Sequence, residues 1–125
     1  MREVRVVSAG AARELLTRLR HGFENEDSAT VTVSYGPVGV VTEQVRSGAP
    51  ADVVISSDAG FRELAADGLV VPDSLTAVGA VPTALAVPEG ASVPELTDVR
   101  ALRRILLGAS VVYCPDLERA TAGRH

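Results

Sequence analysis

Three short runs place small and hydroxyl-bearing residues where a strand gives way to a helix. They are Ser8-Ala9-Gly10, Gly36-Pro37-Val38-Gly39 and Ser56-Ser57-Asp58. A helix start leaves backbone N–H groups without intrahelical partners and carries a partial positive charge. Small residues let an anion come close to those donors, and Ser8 adds a hydroxyl donor of its own. The chemistry such a set can do is non-covalent capture of a small oxyanion. Ser8, Ala9 and Gly10 form its first loop, with Gly39 and Ser57 at the other two. Serine and glycine also serve such loops for local reasons alone, Ser8 as a helix cap and Gly10 as a tight turn, and that reading stays open.

Catalysis finds no support. A serine nucleophile on a strand-to-helix elbow wants Gly-x-Ser-x-Gly and a histidine. Ser8 has no glycine two residues before it, and the two histidines, His21 and His125, lie in a polar helical stretch and at the end of the chain. Cys114 ends an apolar run and has no histidine to activate it, so it reads as packing. Asp52 and Asp58 flank a strand, and no acidic pair follows the first strand, which disfavours a phospho-acceptor domain. Asp52 reads as a strand-end or cap residue. No spacing suits a metal, and no cofactor motif is present. A phosphate loop has no lysine to use, because the chain contains none.

The elements that must carry these loops follow from the apolar periodicity. Residues 4–8 form a β-rich run. Leu15, Leu19 and Phe23 recur every four residues in a helix over about 10–24. Thr30 to Tyr35 alternates with period two and predicts a strand. A helix is expected over 38–47, stopped at Ser47-Gly48. Val53-Val54-Ile55 reads as a strand within 52–56, buried on both faces. A helix follows over 58–67 and stops at Gly68. Strands alternating with helices imply a parallel sheet with helices packed on it, that is, an α/β fold.

The pattern changes after Val71-Pro72-Asp73. Residues 79–87 read as a long strand, with Pro82 marking an edge or a bend. Thr97 or Asp98 caps a helix over 98–107, and residues 110–114 read as another strand. One helix and about two strands cover little apolar surface. Val111, Val112, Leu106 and Leu107 are therefore expected to form an exposed patch that favours association.

Composition narrows the partners. The 125 residues are 46% hydrophobic and 22% charged, a balance that excludes a disordered chain. All 12 basic residues are Arg and the net charge is −4. The aromatics Phe23, Tyr35, Phe61 and Tyr113 alternate with no basic stripe, so no nucleic-acid partner is expected. A single cysteine excludes an internal disulfide. No apolar run approaches the roughly 18 residues of a membrane helix, so no membrane insertion is expected. Met1-Arg2-Glu3 runs straight into Val4 with no export signal, which places the chain in the cytoplasm as written.

Two stretches are more specific than any periodicity. Val4-Arg5-Val6-Val7-Ser8-Ala9-Gly10-Ala11 and Gln44-Val45-Arg46-Ser47-Gly48-Ala49-Pro50-Ala51-Asp52-Val53-Val54-Ile55-Ser56 together resemble the periplasmic molybdate-binding protein of ABC transporters. Tyr113-Cys114-Pro115-Asp116 and Ala120-Thr121-Ala122-Gly123 resemble that family's strand–Asp–Pro segment and the helix start beyond it. The resemblance implies a type II periplasmic-binding-protein-like fold with parallel sheets, shortened to the first lobe plus the start of the second. Residues 1–78 would be the first part of lobe one, 79–88 a hinge-crossing strand and 89–125 an incomplete lobe two. It implies a molybdate- or tungstate-like oxyanion held by Ser8 and by Thr121 in lobe two, an ABC transporter permease as partner, and a periplasmic location. The loop Gly36-Pro37-Val38-Gly39 departs from the family by lacking a hydroxyl, and Pro37 removes an amide donor. The leading expectation is therefore a shortened, non-enzymatic solute-binding protein with weak or undetectable affinity. The alternatives are a non-binding remnant of such a protein and a ligand-sensing regulatory domain of the same fold, the latter disfavoured because no DNA-binding segment fits before Val4.

Overall fold

A computed structural model describes residues 2–27 and 29–120. In chain order it contains strand β1 (Arg2–Ala9), a 3-10 turn (Gly10–Ala12), helix α1 (Arg13–Asp27), β2 (Ala29–Gly36), α2 (Val38–Arg46), β3 (Val53–Ile55), α3 (Asp58–Ala66), a second 3-10 turn (Pro72–Ser74) and α4 (Val99–Gly108). The three strands form one parallel sheet in the order β2-β1-β3. The chain therefore steps from β1 to one neighbour and crosses back to the other. Strand order reverses at β1, where an open α/β sheet has its crevice.

β1 lies in the middle and is buried on both faces at Val6, Val7 and Ser8. β2 contributes Ala29 and Val31 to the core, α2 contributes Val41 and Val45, and α3 contributes Leu64. Val41 and Leu64 are fully buried, and each such side chain stabilises the fold by about 1.5–3 kcal/mol. Gly48 and Gly68 sit just past the ends of α2 and α3 with φ of 80° and 71°. That left-handed conformation lets their N–H groups turn back to Val45 O and Ala65 O, which ends each helix.

β3 is held by a clamp at its start. The Asp52 carboxylate accepts the Arg5 backbone N–H at 2.8 Å and the Arg5 guanidinium at 2.9 Å through both Nε and Nη2. The Asp52 N–H in turn donates to Arg5 O at 2.8 Å. Asp52 is thus the strand-end residue its position suggests. On the far side, Glu24 of α1 pairs with Arg20 and also accepts the Val31 N–H at 2.8 Å, which ties the end of α1 to β2. α2 and α3 are joined by Arg46, which lies 2.7 Å from Asp67. They meet closely at Gly60, where a Cβ would lie 2.9 Å from Val38 Cγ1 and closer still to Ser56 Oγ.

Several expectations are corrected. β3 is not buried on both faces: Val53 is 44% exposed, because β3 has β1 as its one partner among the described strands. Residues 79–87 and 110–114 form no strand. Pro82 cannot donate to a ladder and no neighbouring strand is offered among the described residues, so these stretches stay irregular and largely exposed. The α1 stripe forms as a helix face but is poorly covered, with Leu15, Leu19 and Phe23 each at least 40% exposed. Cys114 is exposed rather than packed. Asp98, not Thr97, caps α4, its Oδ1 accepting the Ala101 N–H at 2.7 Å. Leu106, Leu107, Val111 and Val112 are exposed, as their sparse surroundings suggest.

Two measurements check this packing. Arg5 holds the Asp52 carboxyl down to about 2, first through the guanidinium and then through the backbone N–H. A carboxyl depressed in the folded state stabilises above its unfolded value and loses that contribution as the pH falls toward the folded value. The stability gap between wild type and Asp52→Asn should hold steady above about pH 5 and close between about pH 4 and pH 2; a gap flat across that interval would remove the charge from the account. Gly60→Ala should destabilise by about 1–3 kcal/mol through overpacking against Val38 and Ser56. In α1, a Cβ at Gly22 meets nothing within 4 Å. Gly22→Ala should instead stabilise by about 0.5–1 kcal/mol. Thermal melts that move both variants the same way would contradict this reading of Gly60.

Candidate functional site

The C-terminal ends of the three strands lie side by side. Ser8 stands opposite Tyr35 of β2 and Ile55 of β3, and Ala9 stands opposite Gly36. Each strand end leads directly into a helical start: the Gly10–Ala12 turn, α2 and α3. Parallel pairing thus brings the three expected loops to one end of the sheet.

Their donors differ in what they already bind. Ser8 is fully buried, and its hydroxyl donates to the Ala9 carbonyl at 3.0 Å. It is not a helix cap. Ala9 holds the cap position of the first 3-10 turn and makes no side-chain cap bond. Gly10 is exposed. Pro37 precedes α2 without capping it, and the Gly39 N–H donates to Arg119 O at 2.8 Å. Ser57 does cap: its Oγ accepts the Gly60 N–H at 3.1 Å. Beside it, Ser56 Oγ is buried with no hydrogen-bond partner among the described residues. Thr121 lies outside the described residues.

Gly39 and Ser57 share an open cleft of about 710 Å³, together with Val38, Gly60, Leu117 and Arg119. Ser8, Ala9 and Gly10 do not line it. The structure therefore joins Gly39 to Ser57 directly and leaves the Ser8 loop beside them at the sheet end. The charges around this end are mixed. The Arg13 guanidinium, at the start of α1, lies 4.1 Å from the centre of the Tyr35 ring, a cation on an aromatic face. Asp58, in the first turn of α3, pairs with Arg62 at 2.8 Å. It places negative charge where an anion would otherwise meet that helix start. Among the described residues no group of three His, Cys, Asp or Glu side chains is gathered to hold a metal.

Sequence reasoning missed Gly60 and Arg119 of this region, and named Ser56 and Asp116 only within longer runs, without their roles. Gly60 has a signal, since a glycine in the first turn of a helix suggests close approach. Ser56 carries none, because its burial depends on where α3 packs. Asp116 folds a short turn: its Oδ1 accepts the N–H groups of Glu118 and Arg119 at 2.8 Å each. Those two bonds, Arg119's first, hold the Asp116 carboxyl below its ordinary range. Arg119 meets Gly39 from far along the chain, and no local pattern encodes that.

Comparison with known proteins agrees with this architecture. Residues 4–125 match the family of bacterial extracellular solute-binding proteins. Among solved structures, the chain is similar to the substrate-binding domain assigned to a molybdenum ABC transporter of Clostridium difficile, with 28% identity and a TM-score of 0.56. The match covers 59% of this chain and 33% of that one, so the chain spans about a third of that domain's length. No curated protein matches the chain. With the family match running over nearly its whole length, the chain belongs to the bacterial extracellular solute-binding proteins.

Proposed function

We propose that this chain binds a small tetrahedral oxyanion of the molybdate or tungstate kind and belongs to a protein that delivers it to an ABC transporter. The observation that carries this reading is the convergence of three helical starts, built from small residues, at the point where strand order reverses. A dianion there would meet backbone N–H groups and the partial charge of helix ends, and charge-assisted bonds of this type are worth about 1.5–3 kcal/mol each. The Clostridium difficile domain supplies the transport setting and the ligand class by similarity. The role is binding, not catalysis, and its place is outside the cytoplasmic membrane. In the described residues no helix is long and apolar enough to cross a membrane.

The same reading assigns 1–78 to the first part of lobe one, 79–88 to the crossing and 89–125 to the opening of lobe two, where Thr121 would add a donor. Ser8, Ala9 and Gly10 would contact the ligand from β1, with Gly39 and Ser57 beside them. Ser8 would turn its hydroxyl from the Ala9 carbonyl to the anion. With no hydroxyl in the β2 loop and no amide at Pro37, the site has fewer donors than a full oxyanion cage. Two missing bonds at about 1.5 kcal/mol each lower affinity by roughly a hundredfold. Calorimetric titration of molybdate, tungstate and sulfate should therefore show weak binding, preferring the two larger anions. Ser8→Ala should weaken it about tenfold or more. Affinity unchanged in Ser8→Ala would remove the β1 loop from the site, and no heat from any of the three anions would refute the binding reading.

A further inference from the structure

The start of α2 is already occupied. The Arg119 carbonyl sits 2.8 Å from the Gly39 nitrogen, in the place an anion would take to use that amide. Glycine eases the approach: a Cβ at position 39 would lie 3.0 Å from Arg119 Cα and 3.2 Å from its Cβ and O. The segment that delivers the carbonyl is preformed. Asp116 gathers the N–H groups of Glu118 and Arg119, and the Ala120 N–H donates to Asp116 O at 3.0 Å. Residues 116–120 thus close into one turn. Leu117 and Arg119 form the wall of the cleft that faces Gly39, Ser57 and Gly60.

We propose that the turn Asp116–Ala120 is a strap that masks the α2 helix start and must move aside before an oxyanion can use the Gly39 amide. The competition with ligand rests on the binding function proposed above, whereas the docking of the strap does not. A neutral carbonyl satisfies the orphan N–H, but it answers the helix charge less well than an anion does. The strap therefore prevents empty donors from being left bare and yields to a charged ligand. Its contact ties residues 116–120 to the start of α2, so displacement would release that turn at the moment of binding. Ligand occupancy would then read out as release of residues 116–120.

Asp116→Ala tests this. Asp116 is exposed and, among the described residues, its side chain bonds only within its own turn, so the sheet and the helices should remain intact. Trypsin cleavage of the Arg119–Ala120 bond should be severalfold faster in the variant than in wild type, with cleavage after Arg104 of α4 as the internal reference. Molybdate affinity by calorimetry should rise about three- to tenfold, the equivalent of one neutral hydrogen bond no longer displaced. Gly39→Ala, whose added Cβ crowds Arg119 at 3.0–3.2 Å, is the second variant, and its Arg119–Ala120 bond should be cut faster than that of wild type. Equal cleavage in wild type and both variants would overturn the strap. Measurable but equal molybdate affinity in wild type and Asp116→Ala would overturn the masking while leaving the binding function standing. Absence of molybdate heat in both proteins would overturn the masking and the binding function together.

Discussion

The arrangement of the sheet end depends on how Asp52 meets Arg5. β3 is three residues long and touches β1 only from Val6 to Ser8. Ladder bonds over so short a pairing specify register weakly, and a slip of one residue would turn every β3 side chain to the opposite face. The Asp52 carboxylate prevents the slip by accepting both the backbone N–H and the guanidinium of Arg5, while its own N–H returns a bond to Arg5 O. Both side chains are substantially exposed, so the charge attraction itself is screened and modest. What the pair supplies is geometry. A bidentate fork has one good orientation, and it sets where Ser56, Ser57 and α3 begin relative to Ser8.

From that register the packing of the two helices follows. α3 starts immediately after β3 and must pass α2 near Val38. Gly60 permits the passage because it brings no Cβ against Val38 Cγ1. The cost is local: Ser56 Oγ is enclosed beneath the same glycine without a hydrogen-bond partner among the described residues, and an unpaired buried hydroxyl costs about 1–3 kcal/mol. Leu64 and Val41, both fully buried between these helices and the sheet, offset it. The core is thus small and unevenly covered. Val41 and Leu64 close the α2–α3 face, while the α1 stripe of Leu15, Leu19 and Phe23 remains substantially open.

The stretch from β1 to Gly68 is legible in the sequence because its signals are local. Alternation in Thr30–Tyr35, four-residue spacing in Leu15–Phe23, and stop glycines at 48 and 68 each act within one element, and the observed boundaries fall close to the expected ones. The stretches 79–87 and 110–114 mislead for the converse reason. Apolar, β-branched residues state only a capacity to pair, and a strand exists when a neighbour accepts its N–H and C=O groups. The placement of the candidate residues is legible in part. That Ser8, Gly39 and Ser57 share one sheet end follows from parallel topology. That Ser8 is buried on its own neighbour's carbonyl, and that Ser57 rather than Ser8 is the cap, depends on side-chain placement that no spacing encodes.

The contact between Gly39 and Arg119 shows why the same feature can serve a ligand and the chain itself. A helix start has up to four N–H groups without intrahelical partners, and each one removed from water must find an acceptor. At α3 a side chain answers, Ser57 Oγ taking the Gly60 N–H. At α2 no side chain can, because Pro37 precedes the helix and Val38 offers no oxygen. The acceptor has to come from elsewhere, as water, an anion or another carbonyl. The absent Cβ of Gly39 leaves room for the Arg119 backbone to come this close, and a glycine that suits ligand entry suits a backbone carbonyl equally. Which acceptor is bound is then set by charge and concentration rather than by shape.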